Sequence, residues 1–399
     1  VSRAEKVTGK VTRLAASLAL VSAWLIAAAA PLPSDDVLLE RLEWWRTADH
    51  VLDIAALSPL EPVPAGGGTP IAVALKPKLD PKAAAAAIAY VAALHTQSLL
   101  VWQGGALQLE WYGPGYGPDS RSSPASMMKP VLALAVGQAI AGAKIKSVDE
   151  PIGTYLREWS RDERGSITIR QLLQMSSGLH KDGPTGSDPR GTQLMLGTDM
   201  ERVLLETTLD NTPGSVFDYN NINSSLLGLI LQRATGERFA AWLSRSVWQP
   251  IGARAASVWL DRPGGLARSF CCLMATGRDW LRVGLLVKNR GRVDGQRVVD
   301  PNWIDAMTAP SLRNPNFGYD IWRADPYTPL RGYGSGGAAP VPSAQPFLAP
   351  DIVYFDGSGG QRVYISAAKD LVIVRIGTAA KSWDDSALPN IVVGGLPSR

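Results

Sequence analysis

Cysteine is nearly absent from this 399-residue chain: Cys271 and Cys272 are the two present, and they are neighbours. That excludes a framework of disulfides. The pair is expected to be two small buried thiols, with a vicinal disulfide in an oxidising compartment as the alternative. Histidine is equally thin, and His50, His95 and His180 are too dispersed to suggest a zinc site with them. No metal and no organic cofactor is therefore expected. An excess of one charge is missing too. The formal net charge is +4, and Arg3, Lys6, Lys10 and Arg13 against Glu5 supply most of it. The remaining body is near neutral and has no basic stripe with interleaved aromatics, which sets nucleic acid aside as a partner. Nor is there a Gly-x-Ser-x-Gly nucleophile elbow, and Gly332 to Gly337, which fits a dinucleotide pattern, runs into Pro340 and Pro342 where a helix should begin.

One long apolar run stands near the N-terminus. Leu14 to Ala30 follows the basic N-terminus and ends in small residues before Pro31, the pattern of an export signal or a single membrane anchor. Residues 1–30 are read as that segment, 31–97 as an N-terminal extension and linker, and 98–399 as the body. The Pro/Gly-rich tract from Ser58 to Lys82 is expected to be a linker or surface arm. With 46% apolar residues the body can bury a large core.

Leu99 to Trp102 and Leu107 to Tyr112, separated by Gly104 and Gly105, read as a hairpin. Arg362 to Ser366 and Leu371 to Ile376 read as a second one. Helical patterns fill Lys82 to Leu94, much of Ser126 to Leu243, and Arg278 to Lys288. Strands at both ends with helices between predict an α+β body whose terminal strands share a sheet. The loop from Pro310 to Pro350, with Tyr319, Trp322, Tyr327 and Tyr333, is a candidate substrate rim, as is Lys181 to Gly191.

Two Ser-x-x-Lys tetrads occur. Ser366 to Lys369 falls at a strand end, where alternation points the two side chains apart. Ser126-Met127-Met128-Lys129 instead opens a run so apolar on every side that its helix should be buried. Residues three apart on a helix share a face, so the Lys129 amine is placed beside the Ser126 hydroxyl. Burial disfavours an ammonium, and a neutral amine can accept the serine proton. Pro130 crowds the Ser126 carbonyl, so the first turn is expected to be irregular. Taken alone, the tetrad is also what an ordinary helix start looks like.

Tyr219-x-Asn221 precedes another apolar helix that stops near Gly236. Tyr219 could be an acid or base beside a lysine, and Asn221 could hold the lysine or a substrate amide; equally, the tyrosine could pack and the asparagine cap the helix. Gly357-Ser358-Gly359-Gly360-Gln361 precedes the last hairpin, where glycines let a substrate carbonyl approach backbone amides.

Taken in order, Ser126-x-x-Lys129, Tyr219-x-Asn221 and the glycine-rich segment resemble the penicillin-recognising serine hydrolases: class C beta-lactamases, related esterases, DD-peptidases and 6-aminohexanoate-dimer hydrolase. Ile167 to Leu179, Pro213 to Gly228, Arg278 to Gly284 and Gly295 to Val299 also look like family segments, so the resemblance covers roughly Leu99 to Gly377. It implies a five-stranded antiparallel sheet flanked by helices, with a helical lobe and the active site between them. By motif match it implies Ser126 as nucleophile, Lys129 as its base and Tyr219 as proton relay. Asn221, Gly357 and Gly360 fall in substrate-binding segments, and the amides of Ser126 and Ser358 would form an oxyanion hole. Many relatives carry Lys-Thr-Gly or His-Thr-Gly where this chain has Phe355-Asp356-Gly357, and the missing cation weakens the case for a carboxylate-bearing substrate. The expected partner is a small amide or ester cleaved through an acyl-serine. A DD-peptidase or beta-lactamase is the alternative enzyme, and a non-catalytic, membrane-tethered binding protein the alternative of another class.

Overall fold

The computed structural model describes residues 35–335, 339–378 and 383–397. The apolar segment 14–30, expected to export or tether the chain, lies outside them. Among the described residues no helix is long and apolar enough to cross a membrane.

In chain order, the elements that position the site are helix α1 (Asp35–Thr47), strand β1 (Leu60–Val63), helix α2 (Pro81–Ala92), and strands β2 (Thr96–Gln103), β3 (Ala106–Tyr112) and β4 (Arg121–Ser122). Helices α3 (Lys129–Ala141) and α4 (Asn221–Thr235) follow, then strands β5 (Ala256–Trp259) and β6 (Leu273–Thr276) and helix α5 (Gly277–Lys288). Strands β7 (Trp322–Arg323), β8 (Val353–Gly357), β9 (Gln361–Ser366) and β10 (Leu371–Gly377) and helix α6 (Ala387–Gly394) complete the set.

Both expected hairpins form, and they join: β10 pairs with β2, so strands from the two ends of the body are neighbours. The main sheet is antiparallel in the order β3-β2-β10-β9-β8-β7. It therefore has six strands rather than the expected five. The sixth, β7, is two residues long and emerges from the loop read as a substrate rim. A second, four-stranded antiparallel sheet runs β1-β5-β6-β4. Its strand β1 lies within the tract from Ser58 to Lys82 expected to be a linker or surface arm. Pro62 cannot donate to a ladder, but β1 is an edge strand, where proline is tolerated.

The period of two explains how the main sheet is covered on both faces. In β10, Val372, Val374 and Ile376 point into one core, which includes Trp280 and Leu281 of α5, while Leu371 and Ile373 point into the other. That second core is closed by α2 and α6 through Ala87, Val91, Leu388 and Val392. With both faces covered, the strand is apolar at nearly every position and buried throughout. Helix α3 is similarly enclosed: Val131 to Val136 are fully buried, each large aliphatic side chain contributing about 1.5–3 kcal/mol. This enclosure carries Lys129 into the interior.

Candidate active site

The expected irregular first turn is present. Ala125–Met128 is a short 3₁₀ turn, and the α-helix begins only at Lys129, with Pro130 in its first turn. A proline is tolerated there because its missing amide would have had no helical partner. Ala125, just before Ser126, has φ +49, a left-handed conformation that a non-glycine residue holds only under tertiary constraint. Ser126 is thus presented at a bend, three residues before the lysine that α3 buries.

Lys129 is 1% exposed, and its Nζ has three neighbours: Ser126 Oγ at 2.8 Å, Asn221 Oδ1 at 2.9 Å and the Phe270 carbonyl at 3.0 Å. Burial pushes its pKa down to about 7, against the attraction of Asp320 and Asp356. A neutral amine has two N–H donors and one lone pair. Asn221 Oδ1 and the Phe270 carbonyl can only accept, so they take the two donors and leave the lone pair for the Ser126 hydroxyl.

Helix α4 brings in the second motif. Asn220 is its cap, accepting from the Ile222 amide at 3.0 Å, which leaves Asn221 free to face Lys129. The capping role open to an asparagine here therefore falls to Asn220. Tyr219 is hydrogen-bonded to Ser126, and the Lys129 Nζ lies 4.9 Å from the centre of its ring. Burial, reinforced by Asp356, raises the phenol well above its ordinary pKa, while the Ser126 hydrogen bond works the other way. Tyr219 is thus a protonated donor at neutral pH. Trp322 stacks on its ring at 5.8 Å, and Tyr333 meets it edge-on at 5.4 Å.

The glycine-rich segment closes the site from the sheet side. A Cβ on Gly357 would sit 2.4 Å from the Pro124 carbonyl, so only glycine lets β8 approach the turn that carries Ser126. Gly360 has φ +71, and a Cβ there would strike the Trp383 ring at 2.7 Å. Gln361 Nε2 donates to the Ser123 carbonyl at 3.0 Å, tying β9 to the same turn. Ser126 and Ser358 line the same cavity, together with Tyr219, Asn221, Gly357 and Gly360. All seven residues expected at the site are thus gathered: six line the cavity, and Lys129 lies buried beneath it. The second tetrad is elsewhere, with Ser366 Oγ bonded to Asp351 at 2.8 Å.

Other participants left no local mark in the sequence. The Phe270 contact is a backbone carbonyl, which any residue could supply. Phe270 is followed by Cys271 and Cys272, which are joined as a vicinal disulfide and buried, correcting the expectation of two free thiols. Asp320 is fully buried, with no hydrogen-bond partner for either carboxylate oxygen among the described residues. Burial raises its pKa well above the ordinary value, and the charge of Lys129 pulls the other way. Behind Asp356 lies a closed ion cluster. Arg362 contacts Asp356 at 2.5 Å and Asp385 at 2.7 Å, Arg331 contacts Asp356 at 3.0 Å and Asp385 at 2.8 Å, and Tyr333 donates to Asp356. Two cations and two anions cancel within this cluster.

The chain aligns with the 6-aminohexanoate-dimer hydrolase of Paenarthrobacter ureafaciens at 27% identity over 231 residues, which is 55% of this chain and 58% of that relative's length. Its fold is similar to that of a protein from Bacillus anthracis assigned as a 6-aminohexanoate-dimer hydrolase, with a TM-score of 0.71 at 20% identity, covering 92% of this chain and 100% of the other. It is also similar to EstCE1, described as a hydrolase with promiscuous acyltransferase activity, with a TM-score of 0.60 at 15% identity, covering 79% and 98% of the two chains. The beta-lactamase family model matches residues 84–391, three quarters of the sequence, and the chain belongs to that family.

Proposed function

We propose that this protein is a serine hydrolase that cleaves an amide or ester through an acyl-enzyme on Ser126. The observation that carries this reading is the set of neighbours around Lys129 Nζ, in which two obligate acceptors leave its lone pair to Ser126 Oγ. The Ser126 oxygen attacks the carbonyl carbon while its proton passes to Lys129. The backbone amides of Ser126 and Ser358 stabilise the oxyanion. When the tetrahedral intermediate collapses, the bond to the leaving oxygen or nitrogen breaks, and the Tyr219 phenol gives that atom its proton, drawing a replacement from Lys129. Water then attacks the acyl-serine by the reverse proton path, releasing the acid.

The substrate is read as uncharged near the scissile bond. Both cationic side chains lining the larger cavity are already engaged, Lys181 with Asp218 at 2.7 Å and Arg362 with the buried carboxylates. This argues against a DD-peptidase or beta-lactamase, whose substrates carry a carboxylate. The chain is further read as exported, supported by its basic and apolar N-terminal sequence and by the Cys271–Cys272 disulfide, which persists in oxidising compartments.

Treatment with a serine-reactive fluorophosphonate followed by intact mass spectrometry tests the chemistry. One adduct on the wild type and none on Ser126→Ala is the expected result. Equal labelling of both would remove Ser126 from the reaction, and turnover of nitrocefin would restore the beta-lactamase reading.

A further inference from the structure

Two cavities meet at Ser126. The larger, of about 1010 Å³, is lined by charged and polar side chains, among them Lys181, Asp182, Ser335 and Arg362, and by apolar ones such as Leu194, Val341 and Trp383. The smaller, of about 490 Å³, is walled by Trp44, Trp45, Leu57, Trp259, Phe270 and the Cys271–Cys272 disulfide. Its two titratable groups are occupied. Asp49 accepts from the Val51 amide at 2.9 Å, and His50 stacks on Trp45 at 3.7 Å with its Nε2 against the Trp45 carbonyl. The small cavity therefore offers a mostly apolar, aromatic lining, with the exposed Asp49 carboxylate turned to the backbone amides of Val51 and Leu52.

Ser126 and Ser358 line both cavities, but Tyr219 lines only the larger. A carbonyl carbon on Ser126 has two substituents besides its oxygen, the leaving group and the acyl chain. The leaving atom must meet the proton donor, so it lies on the Tyr219 side. The acyl chain then points the other way, into the aromatic cavity. We infer that the smaller cavity is an acyl-binding subsite and that the preferred substrates are esters or amides of uncharged, apolar carboxylic acids, of about the size of a hexanoyl to octanoyl or arylacetyl group. This assignment rests on the acyl-serine reading above and adds to it the substrate class. Trp44 and Trp45 belong to α1, and Leu57 also precedes residue 84, so much of the wall comes from outside the segment that the family model matches.

The test is a series of p-nitrophenyl esters (acetate, butyrate, hexanoate, octanoate and phenylacetate) hydrolysed by the full chain, its Ser126→Ala variant and its Trp45→Ala variant. A second series holds the hexanoyl group fixed and varies the alcohol. In the wild type, kcat/KM is expected to rise at least ~10-fold from acetate to hexanoate, since each buried methylene alone allows about threefold or more. Trp45→Ala is expected to lower the hexanoate-to-acetate ratio about fivefold or more while leaving the ranking of alcohols as in the wild type. Acetate matching or exceeding hexanoate in the wild type would overturn the assignment whatever the variant does, and so would a Trp45→Ala effect that follows the alcohol. These results leave the reaction itself standing. Undiminished hydrolysis by Ser126→Ala would instead remove the acyl-serine beneath both proposals.

Discussion

At the scale of the residue, the site depends on the protonation of one amine. In the proposed reaction Lys129 must be neutral to receive the Ser126 proton, and burial sets its pKa near 7. The kcat/KM profile is therefore expected to climb with pH through an acid limb centred near 7, because the active form is the deprotonated one. Lys129→Met should abolish that limb and lower kcat/KM by about 10²–10⁴-fold, measurable with any ester that the wild type turns over. The glycine that admits the sheet is equally restrictive. Gly357→Ala places a methyl carbon 2.4 Å from the Pro124 carbonyl, so β8 or the nucleophile turn must move. The expected cost is about 1–3 kcal/mol in chemical denaturation, together with a loss of activity out of proportion to it, since the displaced turn carries Ser126.

At the scale of the element, the end of a helix places an acceptor against Lys129. Asn220 caps α4, and the next residue, Asn221, reaches Lys129. Asn220→Ala is expected to cost about 1 kcal/mol in thermal or denaturant unfolding and also to lower kcat/KM about tenfold by loosening the lysine's acceptor. A Ser224→Ala change on the same helix, away from the cap, should not share that kinetic effect. The elements were legible in the sequence where one physical rule governed them. Short strand-like runs marked β2, β3, β9 and β10, the first pair split by Gly104 and Gly105 and the second by Ala367 to Asp370. An apolar run without a polar face marked α3, and Pro130 marked its irregular start. Legibility failed where pairing at a distance decided the matter. Pro62 made β1 look like a linker, because sequence does not reveal that its ladder has only one side. β7 is too short to leave a pattern, and the oxidation of Cys271 and Cys272 follows from their surroundings rather than from their spacing. The hydroxyl, amine and phenol were found because Ser-x-x-Lys and Tyr-x-Asn fix side-chain types. The Phe270 carbonyl went unseen because it is backbone, and Asp320 because its importance lies in burial alone.

At the scale of the whole molecule, the ion cluster behind the site couples folding to acid. Burial pushes the Asp356 carboxyl up, but Arg331 and Arg362 outweigh it and hold it below its ordinary value of 3.8. A depressed carboxylate contributes stability that is fully present above its unfolded pKa and is lost as pH falls through the folded one. Melting temperature is therefore expected to be insensitive to this carboxyl at neutral pH and to fall once pH drops below about 4, with Asp356→Asn flattening that fall. Asp385→Asn, which leaves Arg331 and Arg362 short of a counter-charge, should cost about 3–5 kcal/mol at neutral pH. The same wide view bears on where this molecule can be cut. Arg41 of α1 donates to the carbonyls of Leu196, Gly197, Asp261 and Ser58, and β1 completes a ladder with β5. A fragment pruned to residues 84–391 would keep Ser126, Lys129 and Tyr219 yet strip the Leu196 and Asp261 carbonyls of the Arg41 donor and leave β5 as a raw edge. The span that the family model matches is smaller than the module that physics holds together.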